Sequence, residues 1–141
     1  MIVILAIDDR GGLLFNGRRQ SQDKRLRERI LEITEGKVLW MNPYSQRQFG
    51  EGIFHSRAVV DEAFLSKAER GEYCFVENME LKPYLEKIER LILFKWNRSY
   101  PADRYLDIDL SDERWQLEEV QDFPGFSHEK ITEEIYRNEK Y

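Results

Sequence analysis

The sequence predicts a three-layer α/β domain with a mostly parallel central sheet and antiparallel strands at its C-terminal end. Three observations carry that expectation. Ile2 to Ile7 is apolar throughout, as in a strand buried on both faces. Helical and strand-like segments then alternate along the first two thirds of the chain. Finally, Trp115 to Val120 and Ile131 to Arg137 read as two longer strands, paired as an antiparallel ribbon across Gln121 to Phe126.

The elements follow in order. Asp8 to Gly17 reads as a loop with three glycines around Leu13-Leu14-Phe15. Ser21 is a plausible N-cap for a helix to about Glu35, with Leu26, Ile30 and Ile33 forming one apolar stripe and Gly36 as the stop. Val38 to Met41 is the second strand, and Pro43 suits the first turn of a short helix after it. Val60 to Ala68 reads as a helix with Ala63, Phe64 and Ala68 inward, ended by Gly71. Tyr73 to Val76 is a short buried strand, Met79 to Ile88 a helix with Pro83 near its start, and Leu91 to Trp96 the next strand. Trp40, Trp96 and Trp115 fall in strands and read as packing. The order is β-α-β-α-β-α-β-β-β, with no repeat and no linker, so one domain is expected over residues 1–141.

Composition excludes several function classes. Hydrophobic residues make up 41% and charged residues 35%, a globular balance. No apolar run is long enough for a membrane helix. MIVILAI lacks a basic leader and a small-residue cleavage site, and Asp8-Asp9 stops it, so it reads as a strand rather than a signal peptide. Cys74 is the sole cysteine, which rules out an internal disulfide, and no Cys/His spacing suggests a metal. The cytoplasm is the default location. Charge is uneven: residues 10–29 hold seven bases against two acids, and residues 103–141 hold twelve acids against five bases. That could steer an anion to one side, though a solvated helix face and an acidic sheet edge explain it as well.

Four segments, in the right order, resemble dihydrofolate reductase. MIVILAIDDRGGLLFNG is similar to the first strand and the loop over the substrate. Residues 22–49 are similar to the helix, Gly-Lys turn and second strand. VDEAFLSKAERGEYCFV is similar to the helix and strand before the cofactor turn. ADRYLDIDLSDERWQLEEV with ITEEIYRN is similar to the Asp-rich connection, Trp-bearing strand and closing strand.

The resemblance implies hydride transfer from NADPH to a pterin, with a carboxylate on the amino-pyrimidine edge. It assigns that catalytic carboxylate to Asp23, the substrate side to Ile7, Phe15, Leu26, Ile30 and Arg57, and the cofactor side to Ser45 and Asn78. Asp23 lies about one helical turn further from Gly36 than the family pattern expects. It can equally serve the positive helix end, in which case Asp23→Asn should hardly change stability. Leu13-Leu14-Phe15 can be a lid or a clasp onto the core. Arg57 can instead be a surface residue.

The phosphate contacts depart from the family pattern. After the second strand, Gly-Arg-x-Thr is replaced by Asn42-Pro43-Tyr44-Ser45; the proline removes both the arginine and a backbone donor. After Val76, Gly-Gly is replaced by Glu77-Asn78-Met79-Glu80, which sets carboxylates against an anion. Between Gly50 and Val60 there are nine residues, with His55, Ser56 and Arg57 as the polar remnants of a larger subdomain. The expected cofactor state is therefore none or weak NADPH.

Three functions follow. One is a divergent relative, weak or inactive as a reductase, retaining at most a pterin-like ligand or small anion. The second is an active NADPH-dependent reductase with an unusual cofactor mode. The third is a binding module in which basic helix 18–29 meets nucleic acid or an acidic partner. The acidic chain, pI 5.2, and the lack of interleaved aromatics give nucleic acid little support. His55 and His128 have no carboxylate–serine pattern around them, which gives a catalytic triad little support.

Overall fold

The computed structural model describes residues 1–50 and 58–141. Ten strands and three α-helices are present among them: β1 (Ile2–Ile7), β2 (Gly12–Phe15), β3 (Arg18–Arg19), α1 (Lys24–Ile33), β4 (Leu39–Met41), α2 (Pro43–Phe49), β5 (Ala58–Val60), α3 (Phe64–Lys67), β6 (Tyr73–Phe75), β7 (Arg90–Lys95), β8 (Arg104–Tyr105), β9 (Trp115–Phe123) and β10 (Ile131–Asn138). A 3-10 helix, Lys82–Lys87, precedes β7. The main sheet has seven strands in the order β5-β4-β6-β1-β7-β10-β9, and a second sheet runs β3-β2-β8. The pairs from β5 to β7 are parallel, while β10 runs antiparallel to both β7 and β9. The fold is therefore the expected α/β class, mostly parallel with an antiparallel end.

Alternation along β1 explains the layers. Val3, Leu5 and Ile7 face one core with Phe64 and Leu65 of α3. Ile2 and Ile4 face the other core with Leu26 and Ile30 of α1. Successive side chains leave a strand on opposite faces, so a strand apolar at every position requires a cover on both. Cys74 sits at the centre of the sheet, fully buried and in register with Val3 and Trp40.

Several local expectations change. The α1 cap is Asp23, whose carboxylate accepts from the N–H groups of Arg25 and Leu26; Ser21 lies upstream. Gly12–Phe15 is a strand, because Leu14 and Phe15 pair with Arg19 and Arg18 while Gly12 and Leu14 pair with Tyr105 and Arg104. Leu13 and Leu14 are buried by this, so the segment clasps the core, and Phe15 stays exposed. The helix expected over Val60 to Ala68 is instead the end of a strand and one helical turn. Ala58–Val60 pairs with Leu39–Met41, and the Asp61 carboxylate accepts from Ala63 N–H and Lys67. Phe64 and Ala68 are buried as expected, but Ala63 is exposed. Met79 to Ile88 shrinks to the 3-10 helix, since Asp107 takes the N–H groups of Leu81 and Lys82. β9 continues to Phe123, through half of the expected loop.

Candidate active-site cleft

The cleft lies beside the C-terminal ends of β1 and β6, where α/β proteins hold ligands. Ala6, Leu13, Leu26, Phe75 and Trp96 give it apolar walls, and Arg19, Ser21, Gln48 and Glu77 give it polar ones. Its enclosed volume is about 10 Å³, room for about one water. Gln20 donates its amide to Asp8 and to Pro101 O, which leaves Oε1 buried without a partner among the described residues.

Asp23 is 1% exposed. Besides capping α1, it accepts from the backbone N–H groups of Phe126 (3.0 Å), Ser127 (2.8 Å) and His128 (3.2 Å). Ser127 Oγ adds a bond at 3.1 Å and His128 Nδ1 one at 2.9 Å. Burial pushes the carboxyl pKa up, but the Phe126 N–H, the imidazole and the Ser127 and Leu26 N–H groups outweigh it. The carboxyl consequently sits well below the ordinary carboxylate range. Gly125 permits this wrap: a Cβ there would lie 2.7 Å from His128 O and 2.8 Å from Asp23 Oδ2. Asp23 thus ties the β9–β10 connection to the start of α1. That burial replaces the expectation that Asp23→Asn is nearly neutral for stability.

The same connection brings His128 behind the cleft wall, against Ser21 and Trp96. Its Nε2 lies 2.9 Å from Ser21 Oγ and 3.1 Å from the Tyr100 hydroxyl. Trp96 stacks on the imidazole, with ring centroids 4.5 Å apart and planes at 27°. The sequence offered no signal for this cluster, because more than a hundred positions separate His128 from Ser21 and Asp23.

Glu77 organises the other end of the cleft. Arg19 meets its carboxylate with two nitrogens, at 2.8 and 3.0 Å. Ser45 Oγ and Gln48 Nε2, both on α2, donate to it at 2.9 Å each. The Arg19 guanidinium also lies over the Tyr44 ring at 4.5 Å, and its backbone N–H donates to the Tyr44 hydroxyl. Asn42 caps α2 through Ser45 N–H and donates to Asn78 Oδ1 at 2.8 Å. Pro43 occupies the first turn, as expected.

The residues assigned by resemblance are spread more widely than one pocket. Asp23 and Leu26 stand at the α1 side, and Leu26 lines the cleft. Ile30 lies in the core beneath α1, while Ile7 packs in the opposite core. Phe15 is 42% exposed, beside Tyr100 and Tyr105 rather than in the cleft. Ser45 and Asn78 are near Glu77, both engaged by protein groups. Arg57, with His55 and Ser56, lies outside the described residues. The expected basic helix 18–29 is helical only from Lys24, since Arg18 and Arg19 form β3 and Asp23 caps α1. Within α1, Arg25 pairs with Glu28 and Glu32, and Arg29 with Glu32 and Glu133. Among the described residues no group of three or more His, Cys, Asp or Glu could hold a metal, and no helix is long and apolar enough to cross a membrane.

No protein-family model matches the chain. No curated protein matches it in sequence either. Among solved structures, dihydrofolate reductase from Enterococcus faecalis, complexed with NADP(H) and RAB-propyl, superposes with a TM-score of 0.66 at 15% identity. The match covers 97% of this chain and 95% of that one. The chain shares the dihydrofolate-reductase-like fold, a distant relationship of architecture.

Proposed function

We infer that the chain is a divergent dihydrofolate-reductase-like protein, acting as a single cytoplasmic domain, that is weak or inactive as an NADPH-dependent reductase. Pterin or small-anion binding is what could remain of the ancestral activity. The observation that carries this reading is the Glu77 cluster. A carboxylate already holds the Arg19 guanidinium, the Ser45 hydroxyl and the Gln48 amide, the groups a phosphate would otherwise recruit. A dinucleotide diphosphate does not fit this arrangement, since its charge would meet that of Glu77. On the pterin side, the Asp23 oxygens are engaged by the 126–128 backbone and His128, so an incoming amino-pyrimidine would have to displace those donors.

Fluorescence titration with NADPH, without and then with dihydrofolate, tests the reading. No saturable binding up to millimolar NADPH is the expected result. Micromolar affinity, about 8 kcal/mol, would overturn it in favour of an active reductase with an unusual cofactor mode. A basic-helix binding module is less favoured, because Arg25 and Arg29 already have carboxylate partners.

A further inference from the structure

Ser21, His128 and Asp23 stand in the order nucleophile, base and orienting carboxylate. An ionised carboxylate can only accept, so the 2.9 Å contact from Asp23 Oδ2 to Nδ1 fixes a proton on that nitrogen. In the neutral ring Nε2 then presents its lone pair, and Ser21 Oγ lies 2.9 Å away. Ring orientation is held twice, by the Trp96 stack and by the His128 N–H bond to the same carboxylate. The imidazole is 5% exposed, which keeps water from competing for the lone pair. Ser21 itself is half-buried and lines the cleft, so its hydroxyl has an approach side. The Tyr100 hydroxyl, 3.1 Å from Nε2, is a second donor to that lone pair; only one of the two hydroxyls can donate at a time.

From this geometry we propose that Ser21 is a nucleophile, activated by His128 and oriented through Asp23, that takes an acyl group from an activated ester. The step uses no NADPH, although it shares Asp23 and the cleft with the reductase reading. The enclosed space holds about one water, so the acyl group of the ester sits at the open side of the cleft, where Ser21 is part of the lining. In the first step Oγ bonds to the ester carbonyl carbon while its proton passes to Nε2. The carbon–oxygen bond to the alcohol then breaks, and the alcohol leaves with the proton from Nε2. Water next attacks the acyl-serine, giving its proton to Nε2, and the acid leaves as Oγ regains a proton. The net change is ester plus water to acid plus alcohol, with no redox partner.

The test is covalent labelling with a small alkyl fluorophosphonate, located by peptide mass spectrometry. This probe needs a serine oxygen whose proton has been taken by a base, and fluoride leaves as the phosphorus–oxygen bond forms. The expected result is one adduct, on Ser21, forming faster than at Ser127 by on the order of 10²–10⁴, the range of a positioned general base. Ser127 is an internal control, since its hydroxyl touches Asp23 Oδ2 and Nδ1 but not Nε2. Ser21→Ala removes a single hydroxyl and should abolish labelling while circular dichroism stays unchanged. Absence of any adduct on the parent protein, or an adduct that persists in folded Ser21→Ala, overturns the proposal.

Discussion

Asp23 and Glu77 are both carboxylates that collect donors from several elements, yet they do so with different chemistry. Asp23 is buried and answered mostly by backbone N–H groups and a histidine, drawn from α1 and the 125–128 connection. Among the described residues, Glu77 is answered by side chains: one arginine, one serine and one glutamine. Backbone donors survive every substitution except proline, and their positions are set by the fold itself. Side-chain donors can be exchanged one at a time without rebuilding the chain path. The Asp23 end of the cleft is therefore part of the scaffold, and the Glu77 end is adjustable.

The largest effect should come from emptying the scaffold end. Asp23→Ala strands several buried donors, and urea unfolding should show a loss of about 3–5 kcal/mol. A loss below 1 kcal/mol would erase the contrast. Asp23→Asn should cost less but still measurably. The pH dependence has a definite sign. Asp23 titrates lower when folded than its unfolded value near 3.9, so its stabilisation is complete above about pH 4 and is lost as pH falls through the folded value. Acid unfolding of Asp23→Asn should accordingly be shallower than that of the parent below pH 4.

Removing Glu77 leaves Arg19 half-buried beside its ring stack without a carboxylate. Glu77→Ala should cost about 2 kcal/mol by thermal melting, less than Asp23→Ala. Saturable NADPH binding in Glu77→Gly with Asn78→Gly, absent from the parent, would sharpen the comparison by making this end the obstacle to the cofactor. No gain would move attention to the 51–59 segment.

Gly125→Ala tests the scaffold end from its other partner. The new Cβ would fall 2.7 Å from a backbone oxygen and 2.8 Å from Asp23 Oδ2. Overpacking of this kind costs about 1–3 kcal/mol, again readable by urea unfolding. The smallest effect belongs to the exposed α1 pairs. Arg25→Gln removes its contacts to Glu28 and Glu32 and should change stability by under about 1 kcal/mol, an amount that shrinks further in salt.

The parallel half of the sheet was legible because its strands are short, continuous apolar runs bounded by charge. Ile2–Ile7 and Arg90–Lys95 read almost to the residue. The β3-β2-β8 sheet was not, since a two-residue strand carries no periodicity and Gly11 and Gly12 signal a loop. Ala58–Val60 was missed because Val60 continues into residues of good helical spacing; only the pairing with β4 separates the two. Asp23 was singled out from its place before α1, but its burial depends on the 125–128 connection. His128 reaches Ser21 from the β9–β10 connection, across a sequence separation with no local spacing to announce it.

Cys74 gives the protein a built-in clock for its own openings. Burial pushes its thiol pKa up to about 12, and no atom of it reaches solvent. A thiol so placed is inert toward a disulfide reagent in the native state, because reaction needs an exposed thiolate. As the chain has one cysteine, modification counts openings that expose the middle of the sheet, between β4 and β1. Local fraying of the ends or of the β9–β10 connection would leave it silent. The rate of thiol capture under native conditions therefore measures how often the centre of the sheet comes apart, without denaturant and without an added label.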